Sequence, residues 1–441
     1  MNFIGIDIGT STISFVIYNP QSKETDYKTI VNNTIIQSPE EWEKSQDPIK
    51  ITDIIEKALR GYLEQYNDIK GIGITGQMHG VLYVDEYGNA ISPLYTWQDG
   101  RGNLIYKDNM TYSEFLSETT DYKIATGYGL VTHFYNKVNN LIPPGAKKIC
   151  TIMDYVAMKL SGKKEPVTDY TNGAALGFFD VEKLKFDYPV IEKAGIDSSI
   201  VPDTDNSGQC IGYYKNIPVY PAIGDNQAAF IGSVNDKRSS IHITVGTSSQ
   251  ISVYTDKYIA IPGLDTRPFP GGGYILVGAA LCGGQAFAIL KDFFKKMLMM
   301  FSVKESCCHN INEEDIYDLM TSVQYKDNTY DIPVVKTLFN GTRSKPSDRG
   351  SIHNLSANNF TPDNLVLGFL KGICDELYNF YKNLPENIKK DKNSITGSGN
   401  AIKKNPLFCK AFEEQFELKM NFSDCREEAA FGACLTSIKN K

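Results

Sequence analysis

The sequence has no long apolar run and no excess of basic residues. No stretch approaches the roughly 20 apolar residues that a transmembrane helix needs, so we expect no membrane partner. Lysine and arginine number 45 and aspartate and glutamate 52, which gives a formal net charge of −7. A mildly acidic chain argues against a nucleic-acid groove as the main binding site.

Histidine and regularly spaced cysteine are also scarce. Five histidines argue against a multi-histidine metal centre. The nine cysteines are an odd number without the spacing of a disulfide framework. The one local cluster, Cys307-Cys308-His309, matches no usual zinc spacing. Because the sequence opens on a strand pattern without a signal peptide, we expect free thiols and a cytoplasmic location.

An internal repeat is the first positive feature of the 441 residues. Residues 4–12 and 241–249 are apolar at alternate positions and then read Gly-Thr-Ser or Gly-Thr-Ser-Ser. The register places Gly9 over Gly246 and Thr10 over Thr247. Each segment continues into a second strand pattern, which predicts a β-hairpin with a tight turn.

A second repeat supports duplication of the whole chain. Ile-Thr-Gly ends a predicted strand at 74–76 and again at 395–397, in each case after a helical pattern (52–66 and 365–381). Chance is the alternative, because Gly-Thr-Ser is a common string. We predict two α/β domains of related topology, 1–237 and 238–441.

The paired hairpin turns indicate phosphate binding. A Gly-rich turn exposes backbone N–H groups and small hydroxyls, which together can bind an anion. Two such turns would bind the phosphates of a nucleotide between the domains. Asp7, just before the first turn, would hold Mg²⁺ mainly through water. Its counterpart in the second domain is Thr244. The alternative is two ordinary hairpins with Asp7 hydrogen-bonded at a strand edge.

A third glycine-rich segment follows the strand at 394–396. Gly397 and Gly399 would let a flat base approach the backbone, although the segment is neither a Walker loop nor a dinucleotide fingerprint. The alternative is a simple turn into a helix. Asn405, which precedes Pro406, can act as the N-cap of the next helix.

The best candidate for a catalytic group is Asp225. It follows a strand pattern and precedes a helix of small residues. At that position an aspartate can accept a proton from a hydroxyl that attacks phosphorus. The alternative is a helix N-cap.

Polar and aromatic residues in two other segments could bind a sugar. Gln77 and His79 lie between glycines and can hydrogen-bond hydroxyl groups, and Trp97 can stack on a sugar face. Asp99 either binds hydroxyls or pairs with Arg101. For His79 a structural role is the alternative, and for Met78 a place in the core.

In their order along the chain these segments resemble the FGGY family of carbohydrate kinases. The resemblance covers nearly the whole sequence. The matching strings are GIDIGT (5–10), WEKSQDP (42–48), GQMHG (76–80), TWQDGR (96–101), GDN (224–226), VGTS (245–248), GSG (397–399) and EEAAFGA (427–433).

The resemblance implies an α/β fold of two ribonuclease-H-like domains, the actin-like ATPase fold, around a central cleft. The first domain would bind sugar and supply the base, and the second would bind the nucleotide. ATP and Mg²⁺ would be needed. The implied roles are: Asp225, base; Asp7, metal; Thr10, Ser11, Gly246 and Thr247, phosphates; Gly397, Gly399 and Asn405, nucleoside; Gln77, Met78, His79, Trp97 and Asp99, sugar.

The resemblance also implies the substrate. The Met-His pair at 78–79 is similar to that of family members that act on ketoses rather than on glycerol, and further strings are most similar to kinases of a seven-carbon ketose. A kinase of xylulose or a ribulose-type ketose is the first alternative. A non-catalytic actin-fold protein that binds a nucleotide is the second. We expect a small-molecule ketose as the partner and a monomer or homodimer.

Overall fold

The computed structural model describes residues 1–441 except 206–207, 303–312, 328–329, 343–344, 346, 424 and 440–441, and it leaves out the side chains of 301, 302, 313 and 439. Cys307, Cys308 and His309 therefore lie outside the described residues, and the prediction that they hold no zinc is not tested. The cysteines that are described are free thiols.

Helices occur in both halves of the chain. In chain order they are α1 (Pro48–Gln65), α2 (Tyr112–Thr120), α3 (Gly129–Val138), α4 (Ile152–Ser161), α5 (Tyr170–Leu176), α6 (Tyr188–Lys193), α7 (Asp225–Ser233), α8 (Gly284–Ser302), α9 (Glu313–Thr321), α10 (Pro362–Lys382), α11 (Glu386–Lys389), α12 (Asn400–Lys404), α13 (Pro406–Phe416) and α14 (Glu428–Lys439). In the described part of the chain no helix is both long and apolar enough to cross a membrane.

Strands are short outside the two main sheets. In chain order they are β1 (Asn2–Ile8), β2 (Thr12–Tyr18), β3 (Thr25–Val31), β4 (Ile35–Ile36), β5 (Ser45–Gln46), β6 (Ile69–Gly76), β7 (Leu82–Val84), β8 (Leu94–Tyr95), β9 (Ile105–Lys107), β10 (Met110–Thr111), β11 (Lys148–Cys150), β12 (Val167–Asp169), β13 (Phe179–Asp180), β14 (Lys185–Phe186), β15 (Asp203–Asp205), β16 (Gly212–Tyr214), β17 (Ile217–Val219), β18 (Ile223–Gly224), β19 (Ser240–Val245), β20 (Ser249–Thr255), β21 (Asp265–Pro268), β22 (Tyr274–Ala280), β23 (Val334–Lys336), β24 (Ser351–His353), β25 (Ser394–Ser398) and β26 (Lys419–Phe422).

The chain folds into two compact units. Unit 1 contains residues 1–232, 267–274 and 425–441, and unit 2 contains 233–266 and 275–424. The first crossing lies close to the predicted boundary at residue 237. The prediction of two continuous segments did not foresee that the chain returns to unit 1 twice.

The sheets of the two units share five strands in the same spatial order, β17-β6-β1-β2-β3 in unit 1 and β26-β25-β19-β20-β22 in unit 2. In unit 1 the order is β16-β17-β6-β1-β2-β3, with β18 also paired to β6. In unit 2 it is β21-β22-β20-β19-β25-β26. In both, a hairpin (β1–β2 or β19–β20) is antiparallel, and its first strand is parallel to a later strand (β6 or β25). The shared pattern confirms two α/β units of related topology.

Local sequence signals explain where two of the long helices begin. Asp47 accepts hydrogen bonds from the backbone N–H groups of Ile49 and Lys50, and Pro48 is the first residue of α1. Thr361 and Pro362 do the same for α10. Both capping residues satisfy N–H groups that would otherwise lack a partner.

Glycines in the first sheet explain why the C-terminal helix belongs to unit 1. A Cβ atom on Gly5 of β1 would lie 1.8 Å from the carbonyl oxygen of Ala430, and one on Gly73 of β6 would lie 1.9 Å from that of Ala433. Only glycine leaves room for such contact between strand and helix backbones. α14 thus packs directly on β1 and β6, which places Glu427, just before the helix, near the end of β1.

Candidate active site

Three parallel strands of unit 1 end side by side. β6 lies between β1 and β18, with Gly76 opposite both Ile8 and Gly224. The residues that follow these positions therefore emerge at the same edge of the sheet, where α/β folds commonly bind ligands. They include the predicted site residues Thr10, Gln77 and Asp225.

Hydrogen bonds join the predicted phosphate residue Thr10 to two predicted sugar residues. The Thr10 hydroxyl donates to Oε1 of Gln77 (3.2 Å) and accepts from the indole N–H of Trp97 (3.0 Å). Gln77 donates to Oε1 of Gln46 (2.8 Å), and Gln46 donates to the Thr10 carbonyl (2.9 Å). The Trp97 side chain stays 47 % exposed. A rigid polar cluster thus presents one open aromatic face.

Charged groups crowd the same edge. Burial raises the pKa of Asp225 to about 6, while the positive charge of Arg267 and a hydrogen bond from the backbone N–H of Asn226 oppose the rise. Burial raises the pKa of Asp7 to about 7, and the negative charges of Asp225 and Glu427 add to the effect. A carboxyl group that titrates near neutral pH can take up and release a proton. Asp225 is the first residue of α7, so it lies at the helix entry that the sequence predicted.

Sequence reasoning missed three members of this arrangement. Glu427 and Arg267 belong to the two later segments that return to unit 1, so nothing local in the sequence connects them to Asp7 or Asp225. Gln46 lies inside the quoted string at 42–48, yet its role depends on a contact with Gln77. The EEAAFGA string at 427–433 was the one available signal for Glu427.

The predicted magnesium residue fits a hydrated cation. No group of three or more His, Cys, Asp or Glu side chains that could hold a metal occurs among the described residues. A cation beside Asp7 would relieve the carboxylate repulsion that raises its pKa. The buried Oδ1 of Asn226, next to Asp225, has no hydrogen-bond donor within the described part of the chain. Both observations suit Mg²⁺ that keeps most of its water.

His79 and Met78 have different surroundings. His79 adopts a positive φ of 74°, its ring packs on Tyr128 at 4.6 Å, and Nδ1 lies 3.0 Å from the carbonyl of Ala175. Because a carbonyl only accepts, Nδ1 carries a hydrogen in this contact. Met78 is buried, and its sulfur would lie 2.8 Å from a Cβ on Gly224. Its contacts favour the alternative of a core side chain.

Asp99 is enclosed by its own neighbours. Its carboxylate accepts from Nε (2.6 Å) and Nη2 (3.1 Å) of Arg101 and from the backbone N–H of Lys44 (3.1 Å). Both Asp99 and Arg101 are buried, and the guanidinium also packs over the Tyr95 ring at 4.0 Å. These contacts favour the Asp–Arg pair over direct sugar binding, because no face of the carboxylate is left exposed.

The two hairpin turns hold their carbonyl groups in different ways. In the first turn, Asn32 donates to the carbonyls of Gly9 and Ser11, both at 2.8 Å. In the second, the N–H groups of Gly283 and Gly284 donate to the carbonyls of Thr247 (2.9 Å) and Gly246 (2.8 Å). The side chains of Ser11 and Thr247 remain exposed. Each turn therefore has its carbonyls engaged by the protein and at least one hydroxyl, that of Ser11 or of Thr247, at the surface.

The predicted nucleoside residues of unit 2 are tightly packed. A Cβ on Gly397 would lie 3.0 Å from the Phe422 ring, and one on Gly399, which has a φ of 88°, would lie 2.5 Å from the Val245 carbonyl. Both glycines are thus required by their own neighbours. Asn405 is buried and caps α13 through the N–H of Leu407 (3.0 Å), as its alternative predicted. Its Nδ2 has no acceptor among the described residues.

Known proteins resemble this chain along its whole length. Residues 2–241 match the model of the FGGY family of carbohydrate kinases, N-terminal domain. Sedoheptulokinase of Mus musculus is 24 % identical over 99 % of this chain and 97 % of its own. Xylulose kinase of Staphylococcus xylosus is 28 % identical over 56 % of this chain and 53 % of its own.

Solved structures agree with the fold. The crystal structure of xylulose kinase from Rhodospirillum rubrum superimposes with a TM-score of 0.81 at 17 % identity, covering 99 % of this chain and 89 % of that one. At this identity the likeness speaks for the fold alone, and it confirms the predicted two-domain α/β architecture.

Proposed function

The chain belongs to the FGGY family of carbohydrate kinases and is an ATP-dependent sugar kinase, and on that premise we propose that it phosphorylates the terminal hydroxyl of a ketose. Our preferred substrate is sedoheptulose, which would give sedoheptulose 7-phosphate. Support for this choice comes from the strings around 78–79 and 96–101 and from the two mammalian sedoheptulokinases, each 24 % identical.

One observation supports the proposal most strongly, namely the common strand edge that brings Asp225 next to Gln77 and the Thr10–Trp97 pair. A sugar that stacks on the exposed Trp97 face would meet hydrogen-bonding groups at Gln77 and His79. Its end would then reach the carboxylate of Asp225. Asp99 acts indirectly here, because its pairing with Arg101 fixes the segment that carries Trp97.

Asp225 would serve as the general base. With a pKa of about 6 its carboxylate is mostly ionised at neutral pH. It accepts the proton of the terminal hydroxyl while that oxygen attacks the γ-phosphorus and the bond from phosphorus to the ADP oxygen breaks. The carboxyl group then releases the proton to solvent. Arg267 keeps the base ionised, since its positive charge opposes proton uptake.

The remaining assignments concern ATP and its cation. The phosphates would be bound by Thr10 and Ser11 and by Gly246 and Thr247, whose turns have their carbonyls engaged elsewhere. Asn405, with one unused donor, is the best candidate for the nucleoside; Gly397 and Gly399 would act by shaping the backbone beside it. Mg²⁺, when bound through Asp7, would neutralise phosphate charge.

A panel of acceptors tests the proposal. Purified protein with ATP and Mg²⁺ is given sedoheptulose, D-xylulose, D-ribulose or glycerol, and ADP release is measured, with Asp225→Asn as the matched control. We expect kcat/KM to be at least about tenfold higher for sedoheptulose than for the others. A preference for D-xylulose or D-ribulose would support the first alternative. If the protein binds nucleotide but forms no ADP in the presence of any ketose, the proposal is overturned in favour of a non-catalytic actin-fold protein.

A further inference from the structure

The strand that leads to the proposed base has only two residues. β18 consists of Ile223 and Gly224 alone and pairs with β6. Asp225 follows it directly and begins α7. Two ladder positions give a strand little resistance to shifting, so something else must fix the backbone in front of Asp225.

Side chains hold the backbone at three successive residues, 222, 223 and 224. The carbonyls of Ala222 and Ile223 each accept one hydrogen bond from a side chain, and the N–H of Gly224 donates one. The three bonds are Asn172 Nδ2 to Ala222 O (2.8 Å), Thr75 Oγ1 to Ile223 O (2.8 Å), and Gly224 N to Thr171 Oγ1 (2.9 Å). Two of the three side chains come from one helix, α5.

The Thr171 hydroxyl is locked in the orientation this bond requires. Its oxygen lies 2.6 Å from Oδ1 of Asp169, and that same Oδ1 accepts the Thr171 N–H at 2.8 Å. A hydroxyl has a single hydrogen, and the Thr171 hydroxyl donates it in a hydrogen bond to the Asp169 carboxylate. The oxygen lone pairs are therefore left for Gly224 N–H, and Asp169 sets their direction.

A buried carboxyl group, that of Asp154, fixes the Asn172 side chain in a similar way. Its amide nitrogen donates both to the Ala222 carbonyl and to Oδ1 of Asp154 (3.3 Å). Hydroxyls of Thr151 and Thr168 fix the other oxygen of Asp154, each at 2.8 Å. Asp154 and Asn172 are both fully buried. The two hydrogens of the Asn172 amide thus connect a fixed carboxyl group to the strand before the base.

We propose that Thr171 and Asn172 are positioning residues for Asp225, which they place by holding the backbone of residues 222–224. This inference rests on the proposed role of Asp225 as base. Proton transfer requires donor and acceptor oxygens within hydrogen-bond distance, so a displacement of about 1 Å is enough to slow it. A purely structural role for α5 would affect stability without acting selectively on turnover.

Thr171→Val is the sharpest test because valine keeps the shape and removes the hydroxyl. Thr171→Ser restores the oxygen. Thr52→Val is the matched control: Thr52 is also a buried threonine of unit 1, and its hydroxyl bonds to the Pro48 carbonyl within its own helix (2.8 Å). For each variant, kcat, the KM for ketose and ATP, and the melting temperature are measured.

We expect Thr171→Val to lower kcat by about 10–100-fold with each KM within about threefold of wild type, and Thr171→Ser to recover most of the loss. Thr52→Val should leave kcat within about threefold. The inference is overturned if Thr171→Val and Thr52→Val have the same kcat, or if the serine variant fails to recover activity although it melts like the wild type.

Hydrogen exchange separates this inference from the proposed function. Amide exchange in the segment 222–226 should be faster in Thr171→Val than in wild type or Thr52→Val. If the wild-type protein phosphorylates no ketose, the proposed function fails, and the exchange result alone decides whether α5 holds the backbone. Unchanged exchange in this segment contradicts the inference whatever the activity.

Discussion

The two units bear the same hairpin, yet each secures its turn differently. Unit 1 uses the side-chain amides of Asn32 and Gln46 together with the backbone N–H of Asn32, whereas unit 2 uses backbone N–H groups at the start of α8. In both units the turn carbonyls are engaged, and the side chain of Ser11 or of Thr247 is exposed. Different sequences have thus reached the same arrangement, which suits an anion in both units.

The strand ends next to these turns differ in charge. Asp7 in unit 1 has a carboxylate crowded by two others, while its counterpart Thr244 in unit 2 shares a neutral hydrogen bond with Ser398 (2.8 Å). An uncharged side chain such as that of Thr244 does not repel phosphate groups. A carboxyl group such as that of Asp7 can take up a proton or attract a cation. We therefore propose that proton transfer takes place in unit 1.

Replacing the proposed base should have the largest effect. We expect Asp225→Asn to reduce kcat by about 10²–10⁴-fold, because the terminal hydroxyl loses its proton acceptor. ADP affinity, measured by calorimetry, should change little. A variant that retains more than a tenth of the wild-type kcat would show that the acidic edge of unit 1 is not the catalytic one.

Equivalent threonines, although both are assigned to the phosphates, should differ in their effect on the ketose. Thr10→Val removes the hydroxyl that joins Gln77 to Trp97, so we expect the KM for the ketose to rise about tenfold. Thr247→Val, at the matching position of unit 2, should raise the KM for ATP and leave the KM for the ketose unchanged. Steady-state kinetics with each substrate varied would show this. Identical effects of both substitutions would remove the contrast between the units.

The pH dependence should follow the Asp225 carboxylate. Since the base must be ionised, kcat/KM for the ketose should fall about tenfold per pH unit below about pH 6. Arg267→Gln should move this limb to higher pH, because the positive charge that favours ionisation is lost. Arg238→Gln, which removes an exposed ion pair with Asp256 in unit 2, is the control and should not move it. If kcat/KM of Arg267→Gln falls at the same pH as that of the wild type, the assignment of the base is contradicted.

The smallest expected effects concern stability, and they have opposite signs in the two units. The folded state raises the pKa of Asp7 to about 7, so the stability linked to its protonation is lost as the pH rises through that value. Asp7→Asn should therefore raise the melting temperature by a few degrees at pH 8 and by little near pH 4. Thr244→Val should lower stability by about 1 kcal/mol at both pH values, because it removes a neutral hydrogen bond. Thermal melts at the two pH values measure both effects, and a shared sign would refute the comparison.

Local patterns were sufficient to predict much of this molecule. Alternating apolar residues before Gly-Thr-Ser predicted both hairpins, and the helical pattern at 52–66 predicted α1, although the helix begins earlier, at Pro48. Asp225 was recognisable because a strand end followed by a small-residue helix is a local signal. These features depend on neighbours within a few residues, which the sequence displays directly.

Contacts between distant segments could not be predicted in this way. Glu427 reaches the first sheet only because Gly5 and Gly73 admit α14, a fact about packed backbones rather than about periodicity. The enclosure of Asp99 by Arg101, and the filling of the space beside Gly397 by Phe422, depend equally on tertiary packing. One register detail also escaped: the pairs that close the turns are Ile8–Ile13 and Val245–Ser249, so the first turn is longer by one residue.

Hydrogen exchange with a nonhydrolysable ATP analogue and Mg²⁺ tests the central claim most directly, namely that both hairpin turns bind the nucleotide phosphates. We expect slower amide exchange on nucleotide addition in the peptides that contain residues 9–11 and 246–248. Protection of one turn only, or of neither, while the analogue is demonstrably bound, would contradict it.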